Sequence, residues 1–134
     1  MLENKERRLV SIAEEIVRSL PHGDTHTVAA AAMDNRGNVH TGVNVFHFTG
    51  GPCAEVVTIA AAAQALAGPL VTIVAVGDRD RGVISPCGRC RQILLDLHPD
   101  VAVIVPLKDG ELAARTVRDL LPLSYSLPEA AEAD

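Results

Sequence analysis

Apolar residues recur at three- and four-residue spacing between Leu2 and Leu20, at Leu9, Ile12, Ala13, Ile16, Val17 and Leu20, with Glu3 and Glu6 near the start. The spacing predicts an amphipathic helix that stops before Pro21. From Thr27 to Met33 the pattern changes to a short apolar run. Asp34-Asn35-Arg36-Gly37-Asn38 then supplies turn chemistry, and Val39 to Val45 alternates enough to pair back, so a β-hairpin is expected. Gly50-Gly51-Pro52 ends the extended region, and Pro52 suits the first turn of a helix reaching to about Leu66. That helix is apolar nearly all round at Val56, Val57, Ile59 and Ala60 to Ala63, which predicts burial inside the domain or against another subunit.

Leu70 to Val76 is a continuous β-rich run bounded by Gly68-Pro69 and Gly77, as expected for a strand covered on both faces. A helix followed by a buried strand implies a parallel crossover. A loop from Gly77 to Pro86 leads to a helix from about Gly88 to Leu97 and then a strand from Val101 to Val105. Asp109-Gly110 turns the chain into a strand near Leu112 to Arg115, with a brief helix near Val117 to Leu121. Beyond Leu127 the Ala- and Glu-rich tail, residues 128–134, is expected to be disordered. The order αββαβαββα predicts an α/β fold over residues 1–127, a single domain with a mixed sheet layered by helices.

Composition narrows the function classes. A chain of 134 residues, nearly half apolar, suits one core. No apolar stretch follows Lys5, Arg7 and Arg8, and no run of eighteen apolar residues exists, so a cytoplasmic protein without a membrane span is expected. The net charge is -5 and the twelve Lys and Arg residues are scattered, which argues against a nucleic-acid polymer as partner. Three cysteines are too few and too odd in number for a disulfide framework, leaving metal binding or burial to explain them. Phe46, Phe48 and Tyr125 are the whole aromatic inventory, so the core must be aliphatic. Those rings can stack a base, cover a pocket or fill the core.

The candidate chemistry lies in Cys53-Ala54-Glu55 and Pro86-Cys87-Gly88-Arg89-Cys90, each at the expected start of a helix, where thiolate is favoured over thiol. Zinc takes four ligands, and only three are obvious here: Cys53, Cys87 and Cys90. A catalytic zinc keeps its remaining position for water and brings the pKa of that water to about neutrality. Glu55, two residues after a ligand, can face that position and move its proton. Three thiolates overbalance the metal charge, which makes Arg89 and Arg91 candidates to donate to the sulfurs; solvated helix positions are the alternative. Cys87 and Cys90 alone could equally form a redox pair, and His47 or His98 could complete a closed structural zinc site.

Both motifs, with the flanking Arg91-Gln92, resemble the cytidine deaminase superfamily, whose three-cysteine zinc site follows the same arrangement. The likeness runs from Thr27 to Tyr125, strongest in residues 41–55 and 81–99, and within the superfamily it is greatest to blasticidin-S deaminases. It implies a three-layer αβα sandwich with a five-stranded mixed sheet, one zinc per subunit, and a homotetramer with active sites near subunit contacts. Hydrolytic release of ammonia from a cytosine ring is the implied reaction, with an aminopyrimidine nucleoside or nucleoside antibiotic as the small-molecule partner. In family terms Glu55 deprotonates the water, protonates ring N3 and assists the departing amine. Thr27, Arg81 and Tyr125 match positions lining the blasticidin pocket. Asn44-Val45-Phe46 stands where cytidine deaminases carry an Asn-x-Glu element reading ribose hydroxyls, Val56 where they often carry Arg, and Leu127 where blasticidin-S deaminases carry Trp.

Overall fold

Alternation along the central strands decides which helix covers which face of the sheet. In a computed structural model, in which residues 1–127 are described, the order is α1 (Asn4–Ser19), β1 (Val28–Asp34), β2 (Val39–Val43), α2 (Ala54–Gln64), β3 (Leu70–Gly77), β4 (Gly82–Ile84), α3 (Gly88–Leu97), β5 (Ala102–Pro106), β6 (Leu112–Thr116) and α4 (Val117–Leu120). The strands form one sheet in the order β2-β1-β3-β5-β6, with β4 attached to β3. Only β3 and β5 are parallel neighbours, Thr72 facing Ala102 and Ile73 facing Val103, and α3 makes the crossover between them. Strands β2 and β3 also point the same way, but antiparallel β1 lies between them.

Ala29, Ala31 and Met33 of β1 join Val74, Val76 and Ile104 beneath Leu9, Ala13 and Val17 of α1. Their neighbours face the other way, where Ala32, Ile73, Val103 and Val105 meet Ala62 of α2 and Leu94 of α3. The result is the expected three-layer αβα sandwich, its core built from aliphatic side chains. Ala29 to Ala32 are completely buried, and such small residues let helices lie close on both faces of a central strand.

Among the described residues the five expected strands are joined by a sixth, β4. Residues 82–84, expected within a loop, pair with β3 at Ala75, Val76 and Gly77. Because β1 occupies the other edge of β3, β4 extends the row begun by β5. The helix after Pro52 also starts later than expected, at Ala54, so Pro52 lies outside its first turn. The expected disordered tail, residues 128–134, lies outside the described residues.

Two buried polar hubs hold the hairpin and the crossover. Asp34 Oδ1 accepts from the backbone N–H groups of Arg36 and Asn38, and its Oδ2 lies 2.9 Å from His40 Nε2. The His40 hydrogen bond, with help from those amides, lowers the Asp34 pKa to about 2 against the opposing effect of burial. At the other end, His98 Nδ1 accepts from Leu70 N–H at 3.0 Å and so joins the end of α3 to the start of β3. That bond requires an unprotonated Nδ1. Burial lowers the His98 pKa below its ordinary 6.5, so the folded state binds this proton less readily than the unfolded chain. Its contribution to stability is therefore present above pH 6.5 and is lost as pH falls toward the depressed value. We expect His98→Gln, whose amide oxygen can accept the same N–H without titrating, to lose less stability than wild type between pH 7 and about 5. Thermal melts of the two proteins across that window test it, and parallel curves would remove His98 from the account.

Candidate metal centre and active site

The loop before α2 is built to deliver Cys53 to a fixed place. Val45 N–H donates to Pro52 O at 3.1 Å and Gly50 N–H to His47 O at 2.9 Å, closing residues 45–52 on themselves. Gly51 cannot carry a side chain there, since a Cβ would lie 1.6 Å from Val45 O. The helix that follows presses onto β2 at Gly42, where a Cβ would sit 2.6 Å from Thr58 N and 2.7 Å from Thr58 Oγ1. Thr58 is completely buried and turns its hydroxyl to Ala54 O, one turn back at the start of α2. Contact between β2 and the helix thus fixes the segment that carries Glu55.

Cys53 caps α2 and Cys87 caps α3, while Cys90 lies in the first turn of α3. Their three sulfurs lie within 4.8 Å of one another, and Cys53 and Cys87 are 3.6 Å apart, unbridged. Burial is graded across the group, from Cys90 at the floor through half-buried Cys53 to exposed Cys87. Among the described residues this is the one set of three or more metal-ligating side chains gathered at a point, and it includes no histidine. His98 is engaged with Leu70, and His47 Nδ1 with Thr49.

Glu55, in the first turn of α2, is almost fully buried. Burial pushes its carboxyl pKa up, opposed by its own backbone N–H and the Cys90 thiol. Burial likewise drives the Cys90 thiol far up, reinforced by Glu55 and the other two sulfurs. Cys53 is raised mainly by burial, with Cys87 and Glu55 adding to it. At Cys87 burial is outweighed by the backbone N–H groups of Cys90 and Arg89 and by the neighbouring thiols, so its pKa falls. Sulfurs so placed resist losing their protons together unless a cation takes the protons' place. Three thiolates at helix N-termini, with a carboxylate beside them, form a donor set that fits zinc with one position left over.

Thr27, Asn44 and Arg81 form one hydrogen-bonded cluster. Asn44 Oδ1 accepts from the N–H groups of Thr27 and Val28, Asn44 Nδ2 donates to Thr27 Oγ1, and Arg81 Nη2 donates to Thr27 O. Phe46 follows directly, its N–H held by Thr25 O and its ring 67% exposed. Tyr125 comes from the opposite end of the chain, its carbonyl accepting from Gln92 of α3 and its side chain exposed. Core filling, the role expected for Phe48 and Tyr125, does not occur, since Phe48 is 90% and Tyr125 67% exposed. Arg91 does not donate to sulfur: its Nε goes to Pro86 O and its Nη1 to Leu120 O, strapping the Cys87 turn to α4. Arg89, between two cysteines, is exposed and makes no side-chain hydrogen bond among the described residues.

Residues 3–105 match the family model for the cytidine and deoxycytidylate deaminase zinc-binding region, a span containing Glu55 and all three cysteines. A blasticidin-S deaminase from Bacillus cereus is 31% identical, with 93% of this chain and 95% of that protein covered. A cytidine deaminase from Mycobacterium tuberculosis is 36% identical over 76% of this chain and 74% of its own. Among solved structures, a cytidine deaminase from Burkholderia pseudomallei superposes with a TM-score of 0.73 at 28% identity, covering 92% of this chain and all of the other.

The Gly42 contact supplies a direct test of how the helix start is held. Gly42→Ala should destabilise the fold by about 1–3 kcal/mol through overpacking against Thr58 and should weaken metal retention by displacing α2. Zinc analysis after dialysis against a weak chelator, paired with a thermal melt, checks both; full metal with an unchanged melt would refute the contact's role.

Proposed function

Because this chain belongs to the cytidine and deoxycytidylate deaminase family, we propose that it is a zinc-dependent hydrolytic deaminase that converts the cytosine-type ring of a nucleoside or nucleoside antibiotic to the uracil form. One observation carries the reading: a buried carboxylic acid with a raised pKa stands beside three sulfurs that leave a metal position unfilled by protein. Zinc held by Cys53, Cys87 and Cys90 would supply a Lewis acid that makes water ionisable near neutral pH.

Glu55 does the proton work. It takes a proton from the attacking water and passes it to ring N3 as the C4–O bond forms. It then delivers the remaining proton to the exocyclic amine as the C4–N bond breaks, so one water is consumed and one ammonia leaves. A buried carboxyl group beside the metal ligands suits both halves of this task, because it must accept and donate within one turnover. Arg89, without a side-chain partner among the described residues and on the first turn of α3, offsets the excess negative charge of three thiolates.

Thr27, Asn44, Phe46, Arg81 and Tyr125 form the substrate rim in this reading. With the Asn44 amide committed to Thr27 and Val28, and an exposed phenyl ring at Phe46, the rim favours a cytosine bearing something other than a plain ribose. Self-association as a homotetramer is part of the proposal, and apolar surface left uncovered in one subunit supports an interface there. Val56, Val57, Ile59 and Ala61 of α2 are only half-buried, and Leu66 just beyond is 88% exposed. No helix among the described residues is long and apolar enough to cross a membrane, in keeping with a small-molecule enzyme of the cytoplasm. A closed, structural zinc site would need a fourth protein ligand, and among the described residues neither His47 nor His98 joins the cluster of three sulfurs.

Purified protein should carry one zinc per chain and release ammonia from at least one of cytidine, deoxycytidine and blasticidin S, with loss of the aminopyrimidine absorbance. Silence on all three would reject the proposal for this substrate class. Glu55→Gln should keep zinc and fold while turnover falls by several orders of magnitude, because the proton carrier alone is removed. Replacing any one cysteine by serine should instead lower both the zinc content and the melting temperature.

A further inference from the structure

The turn between β3 and β4 is built from residues poorly suited to it. Gly77 pairs with Gly82 and Arg81 N–H closes on Asp78 O at 3.1 Å, leaving Arg79 and Asp80 as the two central residues. Both have left-handed backbone, with φ of 54° and 60°. Asn-Gly fits that conformation and Asp tolerates it, whereas Arg adopts it under strain. What the turn gains is a grip on the segment from Asp24 to Thr27. Arg79 Nη2 donates to Asp24 Oδ1 at 2.9 Å, Arg81 Nη2 to Thr27 O at 2.9 Å, and Asp78 N–H to Thr27 O at 2.9 Å.

The gripped segment leads to the metal centre. Thr25 O holds Phe46 N–H at 2.8 Å, Thr27 holds the Asn44 side chain, and the neighbouring Val45 N–H reaches Pro52 O, one residue before Cys53. Beneath the segment, at the end of α1, lies a cavity of about 300 Å³ lined by Arg18, His22, His26, Asp78 and Asp80 among others, and besides the Arg79 contact the segment is tied down at its far end by His26 Nδ1, 2.8 Å from Asn44 O. The Arg79–Asp24 pair is 60% and 86% exposed, and an exposed ion pair adds little to stability. Strain at Arg79 is therefore not offset by what the pair gives the fold. We propose that Arg79 is a positioning residue, which latches Asp24 and through Thr25 and Phe46 sets the rim that receives the substrate. The inference rests on the deaminase reading above for its kinetic consequence, but not for its structural one.

Arg79→Gly tests it, since glycine relieves the backbone while deleting the latch. The melting temperature should hold or rise and the zinc content should stay at one per chain. KM for whichever cytosine compound the wild type turns over should rise about three- to tenfold with kcat changed less than twofold. Asp24→Ala should do the same, and the double variant should be no worse than either single one. Amide exchange supplies a readout free of activity: Phe46 N–H should exchange faster in both variants. Unchanged exchange at Phe46 would overturn the latch even if the wild type proved inactive on every cytosine compound. Faster exchange with additive kinetic losses, or with KM within twofold of wild type, would overturn its role in the rim.

Discussion

Three cysteine sulfurs within 4.8 Å of one another are stable as thiolates only around a cation, and the rest of this fold arranges for them to meet. Two come from helix N-caps and the third from a first turn, so the amides and dipoles of two helices converge where negative charge must accumulate. The demand falls on the sheet edge from which α2 and α3 depart. A few tenths of an ångström at Gly42 or Gly51 would move one sulfur away from the others, which explains why both positions have no room for a methyl group. Completely buried Ala30 and Ala32 of β1 serve the same end, because larger side chains on that face would lift α2 from the sheet.

The grouping of the three cysteines was legible in the sequence because its signals are local. A cysteine two residues before a glutamate, and two cysteines three apart behind a proline, announce helix starts and ligands without any knowledge of the fold. The main strands and helices were legible for the same reason, since their periods of 2 and 3.6 are written in short windows. What escaped was set by distant contact. Strand β4 has three residues and a turn of Arg79-Asp80 in place of Asn-Gly, so neither its length nor its turn signals a hairpin. The partners of Arg91 lie in Pro86 and in Leu120, the second 29 positions away, and spacing beside a cysteine carries no trace of them. The two arginines flanking Cys90 look equivalent in sequence and differ entirely in surroundings.

That difference has an electrostatic logic. Arg91 is committed to two carbonyls, so it steadies the turn that presents Cys87 without bringing its donors to the sulfurs. Arg89 keeps a free guanidinium between two ligands. Three thiolates leave a divalent zinc with excess negative charge, which lowers its power to polarise water, and a nearby uncommitted cation opposes that loss. With Val56 directly after Glu55, the first turn of α2 supplies no such cation. In the proposed reading the compensation comes from α3, where Arg91 is committed to Pro86 and Leu120 and Arg89 makes no side-chain hydrogen bond among the described residues.

The aromatic residues complete the argument from composition to site. A chain with two phenylalanines and one tyrosine could have used them in its core, where each would contribute more buried area than any aliphatic residue it holds. All three are instead at least 67% exposed, and the core is closed with Ala, Val, Leu and Ile. Small aliphatic side chains are what a thin sandwich needs if two helix starts are to meet over one sheet. Rings kept out of that core are available at the surface, and Phe46 and Phe48 lie on the loop whose closure on Pro52 delivers Cys53. The packing demand that brings the sulfurs together therefore also keeps these rings out of the core, and it leaves Phe46 and Phe48 exposed on the loop that delivers Cys53.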